Sequence, residues 1–237
     1  MTKSEQLIQL QNEIKNYYQK LSKEENLLND YFDNLDLSRH TEIYYKVFFS
    51  KMSFDTDILF IGINPGGGEE WCSPQALKRF EYLEYNYTLA RETKKVFELA
   101  NYEYLLEKLD ENNKIVKTNL YYLVTENKKQ LDHFIYNVLS EKQRKEFIEN
   151  HEIWTTKIIE LSDPKIIIYE GQSAFDASPP FFSDKIKVVD LEKNGVNLVK
   201  INDYKPVLIS YKRFRSIIKN KETFAEILKN ELDLIYQ

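Results

Sequence analysis

Four short stretches of this chain, at 58–61, 114–124, 165–169 and 206–210, are nearly continuous in apolar and β-branched residues. That pattern predicts strands buried on both faces of a mostly parallel sheet. Around them the period lengthens to that of a helix. Leu7, Leu10, Ile14, Tyr17 and Leu21 make one stripe over residues 4–28. A second helix starts near Thr88 and runs through Val96 and Phe97 to Leu99. Residues 131–161 are helical in two pieces split near Ser140, and Phe224, Ile227, Leu228, Leu232 and Ile235 mark a closing helix. Ser140 is a fair N-cap, and its pairing with Arg144 makes no capping box. Asn194-Gly195 between two β-branched runs, 186–191 and 196–201, is a hairpin signal. Residues 29–36 read as a linker, 42–49 as an aromatic cap on the core, 173–175 as the start of a short helix, and 212–219 as a helix fed by the last strand. Strand and helix alternation with buried-type strands predicts an α/β fold. We expect a three-layer αβα domain over residues 51–237 with a central four-stranded, mostly parallel sheet. A hairpin is inserted at one edge, and residues 1–50 form a helical N-terminal extension.

The first strand breaks into Gly62, Ile63, Asn64, Pro65 and three further glycines, Gly66 to Gly68. Pro65 cannot donate to a sheet ladder, so the backbone leaves the sheet there. Three of the six glycines stand in this one loop, where they let a ligand approach the main chain. The ends of strands in an open α/β sheet are where ligands bind. The loop is neither a Walker A motif, because Glu69 stands where Lys is needed, nor a dinucleotide fingerprint, because Asn64 fills the second-glycine place. Glu69 and Glu70 repel a polyphosphate, so a neutral, polar, planar ligand suits the loop. Trp71, Tyr85 and Tyr87 follow it, and any of the three can stack on a flat ring. In the second strand Thr118 and Asn119 interrupt an apolar run. A buried Asn either bonds its own backbone or faces a ligand.

Composition narrows the rest. The chain of 237 residues carries net charge −5, which gives no general attraction to nucleic acid. Between residues 205 and 221, however, there are six basic residues and no acid. Within that stretch Ser210, Tyr211, Lys212, Arg213, Phe214 and Arg215 interleave cations with rings, as a grip on phosphates beside a stacking or wedge contact requires. The single cysteine, Cys72, excludes an internal disulfide and a cysteine-based zinc site. No metal or cofactor is expected. The absence of a transmembrane run and a signal peptide points to the cytoplasm. The N-terminal helix packs on its own flank or pairs with a second copy as a short coiled coil. Gly171-Gln172-Ser173-Ala174-Phe175 imitates a nucleophile elbow, but no His follows Ser173 in the chain, and the usual Ser-Asp-His order is not met.

Gly62-Ile63-Asn64-Pro65-Gly66 after a hydrophobic strand resembles the first motif of the uracil-DNA glycosylase superfamily, closest to its mismatch-specific branch. Thr118-Asn119-Leu120 resembles that superfamily's second-strand segment, and residues 164–174 (PKIIIYEGQSA) its third strand. The three motifs keep their order over residues 56–220; the first 50 residues and the 186–201 hairpin lie outside. The resemblance implies a DNA repair hydrolase that flips a uracil or other altered base into a pocket and breaks its N-glycosidic bond. Asn64 would hold the attacking water, main-chain amides around Gly62, Ile63 and Gly66 would hold the base carbonyl, and Asn119 would read the base edge. Lys212, Arg213 and Arg215 would grip single- or double-stranded DNA. Where many members carry a His-Pro-Ser-type motif, this chain has Ser210-Tyr211, and a hydroxyl is a weaker donor to a developing anion than an imidazole. The alternative is therefore a base- or nucleotide-binding module of the same fold that has lost turnover.

Overall fold

The computed structural model describes residues 1–24, 27–28, 31, 45–66, 77–125, 127–178, 188–201 and 204–236. The chain divides into two compact units, each drawn from several stretches of sequence. Unit 1 comprises Met1–Val47, Asn64–Gln75 and Asn119–Leu161; unit 2 comprises Phe48–Ile63, Ala76–Thr118 and Ser162–Gln237. The N-terminal segment groups with two later stretches.

Unit 2 carries the sheet. Its strands are β1 (Ile58–Gly62), β2 (Ile115–Asn119), β3 (Ile166–Tyr169), β4 (Val188–Lys193), β5 (Val196–Ile201) and β6 (Tyr204–Tyr211). They lie in the order β2-β1-β3-β6-β5-β4. β1 pairs parallel with β3 and β3 parallel with β6, while β5 runs antiparallel to both β6 and β4. The four expected strands are thus contiguous, and the hairpin extends them at one edge to a six-stranded mixed α/β sheet, compatible with three αβα layers. Asn194 (φ 53) and Gly195 (φ 75) take the two left-handed positions of a tight hairpin turn.

β1 and β3 are buried at every residue, as their unbroken apolar runs require. On one face Ile58, Phe60, Ile166, Ile168 and Ile209 meet helices α3 (Thr88–Leu99), α4 (Leu105–Glu111) and α8 (Lys221–Tyr236) through Val96, Phe97, Leu106, Leu109, Phe224 and Leu228. Each fully buried side chain of this size contributes about 1.5–3 kcal/mol, so this layer is the unit's main source of stability. Two short helices, α2 (Glu81–Glu84) and α7 (Gln172–Asp176), complete it.

The reading of 212–219 as a helix is corrected. This stretch is a ribbon of β7 (Arg213–Phe214) against β8 (Ile217–Ile218), reversed at Arg215 with φ 54. An aromatic and two β-branched residues favour the extended form, and Lys219 N donates to Lys212 O at 2.9 Å to close the base of the ribbon. The second strand also ends earlier than expected, at Asn119.

Unit 1 is helical. α1 (Lys3–Gln19) starts on a Thr2–Glu5 capping box and ends in a π-helical turn, Lys20–Glu24. α5 (Lys128–His133) runs into a second π turn, Phe134–Val138, and α6 (Glu141–Ser162) follows. The break between the two pieces falls at Ser140, as expected, but a capping box is present there. Gln143 accepts from Ser140 N at 3.0 Å while Ser140 Oγ accepts from Gln143 N at 3.4 Å; the reciprocal partner is three residues on, not four. Tyr17, Tyr18, Phe147, His151 and Trp154 form a ring cluster between α1 and α6.

Candidate functional site

In unit 2 the chain leaves β1 for β2 on one side and then crosses to β3 on the other. The switch point of the sheet is therefore between β1 and β3, where ligands of open α/β sheets bind beyond the carboxyl ends of the strands. Gly62 and Ile63 stand at the end of β1, and Glu170 and Gly171 at the end of β3. Glu170 N donates to Ile61 O at 2.9 Å, which sets the two ends side by side.

Asn64, Gly66 and Asn119 belong to unit 1. Asn64 is half-buried. Its Nδ2 donates to Thr125 Oγ1 at 2.7 Å and to Pro65 O at 3.0 Å, with Thr125 O at 3.4 Å. Thr125 N in turn donates to Pro65 O at 3.2 Å, and Gly66 bridges Thr125. The amide hydrogens are thus committed, and Oδ1 is the atom left to accept. Gly66 is exposed, with nothing within 4 Å of where a Cβ would stand. Asn119 is 4% exposed, and its side chain makes no hydrogen bond among the described residues. Asn64 and Asn119 are not hydrogen-bonded to each other. Trp71, with Gly67, Gly68, Glu69, Glu70 and Cys72, lies outside the described residues.

The other predicted residues are in unit 2. Tyr85 follows α2 and is half-buried; Tyr87 is half-buried and donates its hydroxyl to Glu81 Oε1. Ser210 is fully buried, and its Oγ accepts from Asn197 Nδ2 at 3.0 Å; the same amide donates to Gln172 Oε1 at 2.8 Å. Lys212 pairs with Glu192 at 3.3 Å. Arg213 lies over Gly171, whose φ of 111 and missing side chain admit it: a Cβ there would meet Arg213 Nε at 2.9 Å. The guanidinium of Arg215 and the ammonium of Lys219 lie 5.6 and 5.8 Å from the Phe214 ring. Phe214 and Ile217, at 60% and 46% exposure, make the ribbon an apolar tip set among cations.

The sequence reading missed a buried charged network beside the switch point. Lys117 Nζ pairs with Glu170 Oε2, donates to the Tyr82 hydroxyl at 2.8 Å, and stands 3.7 Å from Glu81 Oε2. The Tyr82 hydroxyl donates to Glu170 Oε1. Lys117, Glu81 and Glu170 are each at most 4% exposed. Tyr82 and Tyr211 are held well above the usual phenol range, first by burial and then by the Glu170 carboxylate. Both stay protonated, Tyr82 as a donor. The available signal was a charged residue inside or just after an apolar run: Lys117 within IVKTN and Glu170 after IIIY.

Among the described residues no group of three or more His, Cys, Asp or Glu side chains could hold a metal ion, and no helix is long and apolar enough to cross a membrane. Set against known proteins, the chain matches no family model and no curated protein.

Proposed function

We propose that this chain is a DNA glycosylase-like protein of the cytoplasm that takes an extruded uracil or other altered base and hydrolyses its N-glycosidic bond. The observation that carries this reading is the pinned amide of Asn64. With both of its hydrogens held by Thr125 and Pro65, Asn64 presents Oδ1 as a fixed acceptor for one hydrogen of water. The water oxygen attacks C1′ of the deoxyribose, the bond to the base nitrogen breaks with its electron pair, and the departing base takes up the proton. An amide orients water without removing a proton, so turnover is slow. The main-chain amide at Gly66 holds the base carbonyl, and Asn119, at 4% exposure, reads the base edge. The β7–β8 ribbon, with Phe214 exposed between Arg213, Arg215 and Lys219, engages the DNA backbone and a neighbouring base.

A second reading, base or nucleotide binding without turnover, is favoured by Ser210. Its hydroxyl is fully buried against Asn197, so it is not presented to a leaving base. Oligonucleotides bearing uracil, hypoxanthine or a modified cytosine, incubated with the protein and then treated with alkali, separate the two. Strand cleavage that falls at least about 100-fold in Asn64→Ala supports hydrolysis. Tight binding without cleavage supports the module. No binding to single or double strands removes both.

A further inference from the structure

A cavity lies in unit 2 at the amino-terminal end of the strands, opposite the switch point. Its volume is about 730 Å³, within the range of small-molecule sites. Its walls include Asp57 just before β1, Tyr102, Tyr104, Lys108 and Asn112 from α4 and its flanks, and Tyr236 at the end of α8.

Three of these form a row. Lys108 N donates to Tyr104 O and Asn112 N to Lys108 O, both at 3.2 Å, so ring, ammonium and amide follow one another along a single helical stripe. Steps of four residues place neighbouring side chains about 5–6 Å apart, and the row spans about the length of a base, a sugar and one phosphate. Tyr104 is 76% exposed, an unusual position for a ring with no packing partner on that side. Lys108 is exposed, and its ammonium has no ion-pair or hydrogen-bond partner among the described residues. Asn112 gives Nδ2 to Lys108 O at 2.7 Å, leaving Oδ1 as an acceptor.

The floor does not repel an anion. The Asp57 carboxylate is neutralised by Lys165 at 2.6 Å and accepts from the Tyr236 hydroxyl at 2.7 Å, and Lys114 is held by Asp55. Glu103 on the rim disfavours a polyphosphate over a single phosphate.

We infer that this cavity binds a nucleoside 5′-monophosphate, with the base on Tyr104 and the phosphate on Lys108. The inference does not rest on the glycosylase reading, because it concerns different residues at the other end of the sheet.

The test is calorimetric titration of the full chain with AMP, GMP, CMP and UMP, with the matching nucleosides and inorganic phosphate as comparisons. Saturable binding of one monophosphate per chain is expected, below a Kd of about 1 mM. Lys108→Glu should raise that Kd at least tenfold while leaving nucleoside binding unchanged. Tyr104→Ala should weaken nucleoside and nucleotide alike. Asn64→Ala should leave both unchanged, which separates this site from the base-excision reading. Both Tyr104 and Lys108 are exposed, so these variants keep the fold. The proposal is overturned by no saturation with any of the four, by binding that both cavity variants retain, or by phosphate binding as tightly as the nucleotides.

Discussion

The two units bury ionisable side chains in opposite ways. In unit 1, His151 is 1% exposed among Tyr18, Tyr121, Tyr122, Phe147 and Trp154. Phe147 O, 2.7 Å from Nδ1, can only accept, so Nδ1 carries the hydrogen and Nε2 accepts from the Tyr18 hydroxyl at 2.9 Å. Both nitrogens are satisfied with no charge, and burial pushes the imidazole pKa down to about 3. In unit 2, Lys117 is met by two carboxylates, Glu170 and Glu81. Burial is met by discharge in one unit and by pairing in the other. Discharge makes a group sensitive to acid; pairing makes a group sensitive to loss of its partner.

The largest effect should come from breaking the pairing. Lys117→Met leaves Glu170 and Glu81 facing each other without a cation, and should lower stability by about 3–5 kcal/mol. Urea denaturation checks it. If the loss is under about 1 kcal/mol, the lysine is not neutralising that cluster. Adding Glu170→Leu to Lys117→Met should recover part of the loss.

Next comes the acid limb. The folded imidazole pKa of about 3 lies below the 6.5 of an ordinary histidine, so the unfolded chain binds the extra proton between those values. Stability contributed by neutral His151 is full above pH 6.5 and falls as pH drops toward 3, with a slope of about 1.4 kcal/mol per pH unit. In His151→Phe, stability measured from pH 7 to pH 4 should fall less steeply by that amount. An unchanged slope would show that His151 is protonated in the fold.

Smaller effects test local devices. Thr125→Val removes the acceptor that pins Asn64 and should cost about 1 kcal/mol. It should also reduce base excision if that activity is present, without changing the N-terminal ring cluster's near-ultraviolet circular dichroism. Ser140→Ala removes one half of the capping box of α6 and should cost about 0.5–1 kcal/mol by thermal denaturation.

The sequence made most of unit 2 readable because its strands are unbroken apolar runs and its hairpin turn is Asn-Gly. Both signals are local and leave few alternatives. The partition into units was not readable, since 64–75 and 119–161 join the N-terminal helix only through tertiary packing. The ribbon at 213–218 was misread because two isoleucines and a phenylalanine spaced over five residues suit a helix stripe as well as a short strand. Positive φ at Arg215 decided between them. Of the candidate site, the Gly-Asn-Pro loop was visible as composition. Lys117 and Glu170 were not, because one charge in an apolar run ordinarily marks a strand end, and only the fold places two such ends and Glu81 together.

Strand order carries a kinetic consequence. Ile58 finds a partner at Ile166, so β1 leaves the ribosome long before β3, one of the two strands it lies between. Closing so long a loop to complete the pairing of β1 slows the search. In the meantime ILFIG is an uncovered, highly adhesive segment of nascent chain. Synthesis at reduced temperature or with added chaperone should therefore raise the yield of native protein more than any change to its surface.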